Sequence, residues 1–354
     1  MIWPFKRTPK SVLGIDIGTS AVKVVELAKY GEQVKLQNYA SLSVAPFYKR
    51  NRTVERKDTL LFSSKEIADL LNLLFKKAKI SPQKAILAIP DFVTFFTSFT
   101  LPPMSKEEIP QAVRFEARRH VPLPLSEVTL DWMVTEGKIS DYKNERLKIL
   151  LVVVPNTAID QYREIIKLCQ FELLALEAEV FGLQRALVKE EKKVIALIDI
   201  GARSTTCTIV DGKVLKVSHS FDIAGNDFTK RLAESLDLEY KRAEEIKKEM
   251  GILEKFQDVK EVLTPLIDLI ISEVEKVVED FYQQEGKEVE TYIIAGGSAL
   301  LPGLKDYFSK SLKKEVKLAD PFADLLYPPI LEDTLKKMGP AFSIAVGMGL
   351  RGLE

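Results

Sequence analysis

One stretch that occurs twice constrains this chain more than any other feature. The first copy reads Leu13-Gly14-Ile15-Asp16-Ile17-Gly18-Thr19-Ser20-Ala21-Val22-Lys23-Val24-Val25. The second reads Leu197-Ile198-Asp199-Ile200-Gly201-Ala202-Arg203-Ser204-Thr205-Thr206-Cys207-Thr208-Ile209-Val210. In each, an apolar run enters a carboxylate, turns on a glycine and leaves on another apolar run, which predicts a strand, a tight turn and a second strand. Such a turn offers backbone N–H groups and hydroxyls to an anion, beside a carboxylate that reaches a hydrated cation. Phosphate with magnesium is the guest this chemistry suits. A single Asp-x-Gly hairpin reads more readily as a polar turn between core strands. Two copies, with their aspartates 183 residues apart and each opening one half of the chain, predict a duplicated α/β domain. The two turns are expected to face each other across a cleft.

The 354 residues suffice for two domains with ample core. A hydrophobic content of 46% and a charged content of 29% are those of a soluble globular chain. The 51 basic and 51 acidic residues cancel, so nothing points to a general nucleic-acid surface. Cys169 and Cys207 lie in apolar contexts without metal spacing and read as core thiols in a reducing compartment. His120 and His219 are far apart, and a histidine-based zinc site is not expected. No apolar run of about 18 residues predicts a membrane-spanning helix. The opening Met1-Ile2-Trp3-Pro4-Phe5-Lys6-Arg7 lacks a signal-peptide core; it reads as a frayed arm, or as a weak contact with a membrane or partner.

Residues 11–45 predict two or three antiparallel strands with a turn at Tyr30-Gly31-Glu32, and 46–62 a basic loop. Ser63 and Glu66 form a capping box for a helix lined by Ile67, Leu70, Leu71, Leu74 and Ala78. A buried strand at 85–89 stops at Pro90. Phe92, Phe95, Phe96 and Phe99 follow in a β-like run, and Pro110 makes the next helix begin near Ile109 or kink. With strands at 130–134 and 147–154, residues 91–150 form a small α+β insertion. Its Arg114, Arg118 and Arg119 read as a solvated helix face or a hold for an acidic partner. Asn156 is the expected cap of the next helix, and Glu177-Ala178-Glu179 leads from a short strand into another. In the second half, Ala224-Gly225-Asn226-Asp227 opens a helix and Gly251 closes a second one. An amphipathic helix spans 258–284, with Pro265 in its first turn or at a kink. Its stripe favours core packing over a coiled coil. Tyr292-Ile293-Ile294-Ala295-Gly296-Gly297-Ser298 predicts a buried strand whose double glycine lets a flat ring or a phosphate approach the backbone. Pro340 is expected to begin a last helix, rich in small residues.

Taken in order, these motifs resemble the actin-like ATPase superfamily over nearly the whole chain. Within it the sequence is similar to the PilM family of type IV pilus assembly proteins, with the FtsA cell-division proteins next. Gly14 to Lys23 looks like that family's first phosphate motif, and the stretch from Leu101-Pro102-Pro103-Met104 to Val121-Pro122-Leu123-Pro124 has the shape of its IC subdomain. The resemblance implies an α/β, ribonuclease H-like actin fold with two lobes, a nucleotide cleft and an inserted α+β subdomain. Residues 1–10 would be an arm, 11–90 and 151–192 lobe I (IA), and 91–150 the IC insertion. Residues 193–223 and 289–338 would form lobe II (IIA), 224–288 the IIB subdomain, and 339–354 a C-terminal helix on lobe I.

The resemblance further implies ATP and Mg2+ as ligands. Gly18, Thr19, Ser20 and Lys23 would meet the β- and γ-phosphates, although strand alternation alone leaves Lys23 equally placed in the cleft or in solvent. Gly201, Ala202, Arg203, Ser204 and Thr205 would hold the other side, and Asp16 and Asp199 the metal through water. Glu244 and Lys247 would contact ribose and adenine, with Gly296, Gly297 and Ser298 covering the adenosine. Two departures stand out: Gly225-Asn226 replaces the two glycines of many relatives, and Arg203 replaces a glycine and would act as a phosphate clamp. The implied function is a cytoplasmic scaffold at the inner face of the inner membrane. It would bind the N-terminal cytoplasmic peptide of PilN, join other inner-membrane pilus proteins, reach the membrane through them, and hydrolyse ATP slowly. Glu179 would orient the water, with Asp16 as the second candidate. The alternatives are an FtsA-like or MreB-like filament-forming ATPase, and a sugar kinase with Asp91 or Asp131 as base.

Overall fold

In the computed structural model, residues 11–44, 62–81, 84–137, 145–190 and 192–354 are described. The arm read at 1–10 and nearly all of the loop read at 46–62 lie outside them. Three antiparallel strands come first: β1 (Ser11–Ile17), β2 (Ala21–Tyr30) and β3 (Gln33–Ser43). Gly31 turns the second into the third at φ +64°. Helix α1 (Ser64–Ala78) opens on the expected capping box: Ser63 Oγ accepts the Glu66 N–H at 3.3 Å, and the Glu66 carboxylate accepts the Ser63 N–H at 2.9 Å. Strand β4 (Lys84–Ile89) ends at Pro90. A single 3-10 turn, Asp91–Val93, then replaces the start of the predicted β-like run, so β5 (Phe95–Leu101) begins after Phe92 rather than with it.

Helix α2 (Ile109–His120) begins at Ile109, with Pro110 in the first turn where its missing N–H costs no helical bond. Strands β6 (Val128–Glu136) and β7 (Leu147–Pro155) lead into α3 (Asn156–Cys169). Asn156 is not the cap expected of it. Pro155 holds that position, and the Asn156 side chain instead ties back to Ser126 O at 3.0 Å and to Thr129 Oγ1 at 2.9 Å. Strand β8 (Glu172–Ala178) and helix α4 (Glu179–Leu187) complete the first half.

The second half follows with β9 (Val194–Ile200), β10 (Thr205–Asp211), β11 (Val214–Phe221), α5 (Gly225–Ser235), α6 (Tyr240–Met250) and α7 (Gln257–Glu285). Then come β12 (Thr291–Ala295), α8 (Leu304–Leu312), β13 (Val316–Leu318), β14 (Leu325–Leu326) and α9 (Glu332–Arg351). Pro265 lies well inside α7 rather than in its first turn, and α9 already starts at Glu332, with Pro340 in its interior.

The strands form a six-stranded sheet, β14-β3-β2-β1-β4-β8, a five-stranded sheet, β11-β10-β9-β12-β13, and a three-stranded sheet, β5-β7-β6. Apart from β14, the two larger sheets share one plan. Each has an antiparallel meander whose first strand is central, extended by two strands parallel to that one. The register repeats too: Asp16 lies opposite Lys23, and Asp199 opposite Thr206. The duplicated sequence is therefore a duplicated sheet.

Three apolar cores bind the layers. Helices α1 and α3 cover one face of the first sheet, and α5, α7 and α8 one face of the second. The buried face of α7, from Leu263 to Phe281, belongs to that second core, as its stripe predicts. The third core joins the halves: α4 and α9 lie against Val12 and Ile86 on one side and Ile195, Leu197 and Ala295 on the other. Small residues set the distance there. A Cβ on Gly14 would fall 2.0 Å from Ala345 O, and one on Gly347 would fall 1.9 Å from Gly182 O. Both thiols are buried, and burial pushes the pKa of Cys169 and of Cys207 up to about 12. The three-stranded sheet packs one face on α2 and sets Leu150, on the other face, against Ala178, Val180 and Leu215. Among the described residues no helix is long and apolar enough to cross a membrane.

Candidate functional site

The two hairpin turns close in the same way. The Gly18 N–H donates to Ala21 O at 3.1 Å, and the Gly201 N–H donates to Ser204 O at 3.0 Å. A Cβ on either glycine would stand 3.0 Å from the carbonyl that closes its own turn. Asp16 leaves the end of β1 with 1% of its surface exposed. Its Oδ2 accepts the Lys23 ammonium at 2.8 Å, which settles the direction of that side chain: it turns into the cleft. Its Oδ1 is buried with no hydrogen-bond partner. Burial alone would lower the Lys23 pKa. Asp16, then Asp199 and Glu179, more than offset this and hold it above the ordinary lysine value.

Lys23 thus answers to carboxylates from both halves. Asp199, at the end of β9, is pushed up to about 6 by burial, with Lys23 pulling it down and Asp16 raising it. Gly296 follows β12 at φ +86°, and a Cβ there would lie 2.5 Å from Asp199 Oδ1, so only glycine fits. At Gly297 a Cβ would meet nothing within 4 Å. The second turn is braced from behind. Gly201 O accepts the Gly225 N–H at 3.1 Å and the Ser298 hydroxyl at 2.8 Å, and Ala202 O accepts the Asn226 N–H at 2.8 Å. Gly225 has no room for a side chain, since its Cβ would fall 2.2 Å from Ser298 Oγ. Asn226 needs only its backbone there, and its side chain accepts from Tyr240 at 3.2 Å. The Thr205 hydroxyl points away, donating to Ile223 O at 2.6 Å. Arg203 lays its guanidinium over the Phe92 ring at 4.3 Å, joining the second turn to the segment after β4.

Lys247 does a different job from a surface lysine. It is 7% exposed and donates to Gly225 O at 2.9 Å, Thr229 Oγ1 at 2.8 Å and Glu244 Oε2 at 2.6 Å. Burial lowers its pKa and Glu244 resists that change. The pair fastens α6 to the first turn of α5.

Asp91 is offered by the sequence only as a base for the sugar-kinase alternative, not as a neighbour of Asp16 and Asp199. It is 4% exposed, and burial, then the Asp199 charge, push its pKa up to about 8. Glu179 is raised well above the usual carboxylate range by burial, then by Asp91, Asp16 and Asp199. Tyr162, whose hydroxyl is buried without a partner, feels Glu179 and Asp16 and is raised chiefly by burial. One rule gathers these groups. Asp16, Asp91, Glu179, Asp199 and Gly296 each sit at the carboxyl end of β1, β4, β8, β9 or β12, or just beyond it; those strands run parallel within their sheets. Ligands of open α/β sheets bind at that edge. An acid just beyond the buried β4, directly after Pro90, is the sequence signal for Asp91. Among the described residues no three His, Cys, Asp or Glu side chains converge as a metal cage.

The chain is similar to several known proteins in family and fold. The profile of the family described as Type IV pilus assembly protein PilM matches residues 14–353. A chain of a PilM-PilN type IV pilus biogenesis complex superposes with a TM-score of 0.85 at 23% identity, covering 98% of this chain and 100% of that one. MreB5 of Spiroplasma citri bound to AMPPNP superposes with a TM-score of 0.56 at 14% identity, covering 97% and 96%. The cell division protein FtsA of Staphylococcus epidermidis is 24% identical over 178 residues, which are 44% of this chain but only 38% of that protein. The fold shared with these structures is the actin-like one, with two lobes about a cleft.

Proposed function

Because the chain belongs to the family of the type IV pilus assembly protein PilM, we propose that it is a pilus-assembly scaffold whose two lobes close on ATP and Mg2+. The observation that carries this reading is the ion pair of Lys23 with Asp16 of the first turn, set within the field of Asp199 of the second. Three features fit the ligands. Asp16 keeps a buried, unpartnered carboxylate oxygen; Gly296 excludes a side chain beside Asp199; and Gly297 leaves open space. Asp16 and Asp199 would hold the metal through its water shell, since magnesium gives up its waters reluctantly. Bound magnesium would neutralise charge on the phosphates.

Gly18, Thr19, Ser20 and Lys23 would take one side of the phosphates. Gly201, Ala202, Arg203, Ser204 and Thr205 would take the other, largely through backbone N–H groups. Glu244 would meet the nucleoside, held in place by Lys247, and Gly296, Gly297 and Ser298 would cover it. Glu179 would orient water for a slow hydrolysis, with Asp16 second. The closed chain would then receive the N-terminal cytoplasmic peptide of PilN at the cytoplasmic face of the inner membrane, where its partners hold it. The likeness to a chain of a PilM-PilN complex supports that partner. Isothermal titration of the PilN peptide, with and without Mg-ATP, tests the reading. Binding that tightens with nucleotide is expected, and no heat at high peptide concentration would overturn it.

A further inference from the structure

We propose that Asp91 is a positioning residue that fixes the Glu179 carboxylate at the head of α4. This inference rests on the reading of Glu179 as the water-orienting group. The two acids are tied reciprocally. The Asp91 N–H donates to Glu179 Oε2 at 3.1 Å, and the Val180 N–H donates to Asp91 Oδ1 at 3.4 Å. The Asp91 backbone thus serves the Glu179 side chain, and the backbone of Val180, one residue beyond Glu179, serves the Asp91 side chain. The tie is possible because Ile89 and Ala178 pair in register, so both chains leave adjacent parallel strands side by side.

The turn that carries Asp91 is itself closed. The Val93 N–H and the Thr94 hydroxyl donate to Pro90 O at 3.1 and 3.0 Å, and the Thr94 N–H donates to Asp91 O at 3.0 Å. The next residue, Phe92, carries Arg203 of the second turn on its ring. Asp91 therefore stands where Glu179, the second hairpin and the entry to β5 meet.

A helix cap alone does not account for this aspartate. Serine or asparagine caps an N-terminus as well, without burying an ionisable group. The charged groups around the pair are Asp16 from β1, Lys23 from β2, Asp199 from β9 and Arg203 from the β9–β10 turn. Thr206 of β10 lies within hydrogen-bonding reach of Asp91, and Tyr162 of α3 faces Glu179. The only ammonium among them is bound to Asp16. Burying a second acid beside Glu179 is costly unless it acts on that neighbour. The Asp91 charge raises the Glu179 pKa, and a neutral cap would not.

The test compares the full chain with Asp91→Asn, Asp91→Ala and Glu179→Gln by hydrogen exchange over the first turn of α4, Mg-ATP binding, and hydrolysis against pH. Asp91→Asn keeps an acceptor for the Val180 N–H, so exchange there stays near that of the parent, whereas Asp91→Ala accelerates it about tenfold or more. Both substitutions are expected to lower kcat about tenfold with KM little changed, and Asp91→Asn moves the acid limb of the pH profile to lower pH. An Asp91→Asn chain with the parental rate and profile overturns the proposal, as does unchanged exchange in Asp91→Ala. Parental hydrolysis in Glu179→Gln refutes the ATPase assignment of Glu179 instead, and exchange in Asp91→Ala still decides whether Asp91 fixes the head of α4.

Discussion

At the scale of single residues, the strand-end cluster is a crowd of buried acids around the Lys23 ammonium. Folded Asp199 and Asp91 keep protons to about pH 6 and about pH 8, while the unfolded chain loses them near 3.8. The folded state therefore binds more protons across this window, and stability without nucleotide falls as pH rises from about 4 to about 8. Asp91→Asn removes part of that penalty. It should stabilise the free chain by about 1–3 kcal/mol at pH 8.5, with the gain shrinking toward pH 4. Urea unfolding at both pH values checks this, and parallel pH curves for the two chains would refute it. Asp16, Asp199 and the turn glycines were legible because their spacing repeats. The direction of Lys23 was not, since alternation fixes a face and not what lies beyond it. Asp91 was read with the insertion because it follows a proline at the boundary, and only the parallel pairing of β4 with β1 and β8 shows where it points.

At the scale of elements, glycines separate structure from binding. Gly296→Ala forces a side chain into φ +86° and against Ile200 O at 2.4 Å, and should cost about 1–3 kcal/mol of stability. Gly297→Ala meets nothing within 4 Å; it should leave Tm unchanged yet weaken Mg-ATP about tenfold. Thermal unfolding and a fluorescent-nucleotide titration distinguish the two, and equal effects on both quantities would count against a ligand over Gly297. The helices show why boundaries are harder to read than elements. Capping chemistry located α1, but Asn156 has side-chain partners from residues 126 and 129 that no local pattern reveals. Pro340 predicts the start of α9 and Pro265 a first turn or a kink of α7, yet both helices carry their proline inside, where packing outweighs a lost hydrogen bond.

At the scale of the whole molecule, duplication made the architecture readable: each hairpin seeds one sheet, and a shared core of α4 and α9 holds the two together. The relation of the inserted sheet to the rest was not readable, because its ties are long-range. Glu136 and Lys148 form ion pairs with Lys216 and Glu285 of the second half, and Lys148 also reaches Glu136 at 3.5 Å. A ligand that bridges the lobes should stabilise all of this at once, by about 4 kcal/mol at a thousand times its Kd. Thermal unfolding with and without Mg-ATP measures that gain, and no shift at saturating nucleotide would speak against closure.

The central claim, that both turns grip one nucleotide, meets its most direct test in isothermal titration of ATP, with and without Mg2+. The chains to compare are the parent, Asp16→Asn and Asp199→Asn. The expected result is magnesium-dependent binding at a single site, weakened about tenfold or more by either substitution. Full affinity in one of the two variants would contradict it.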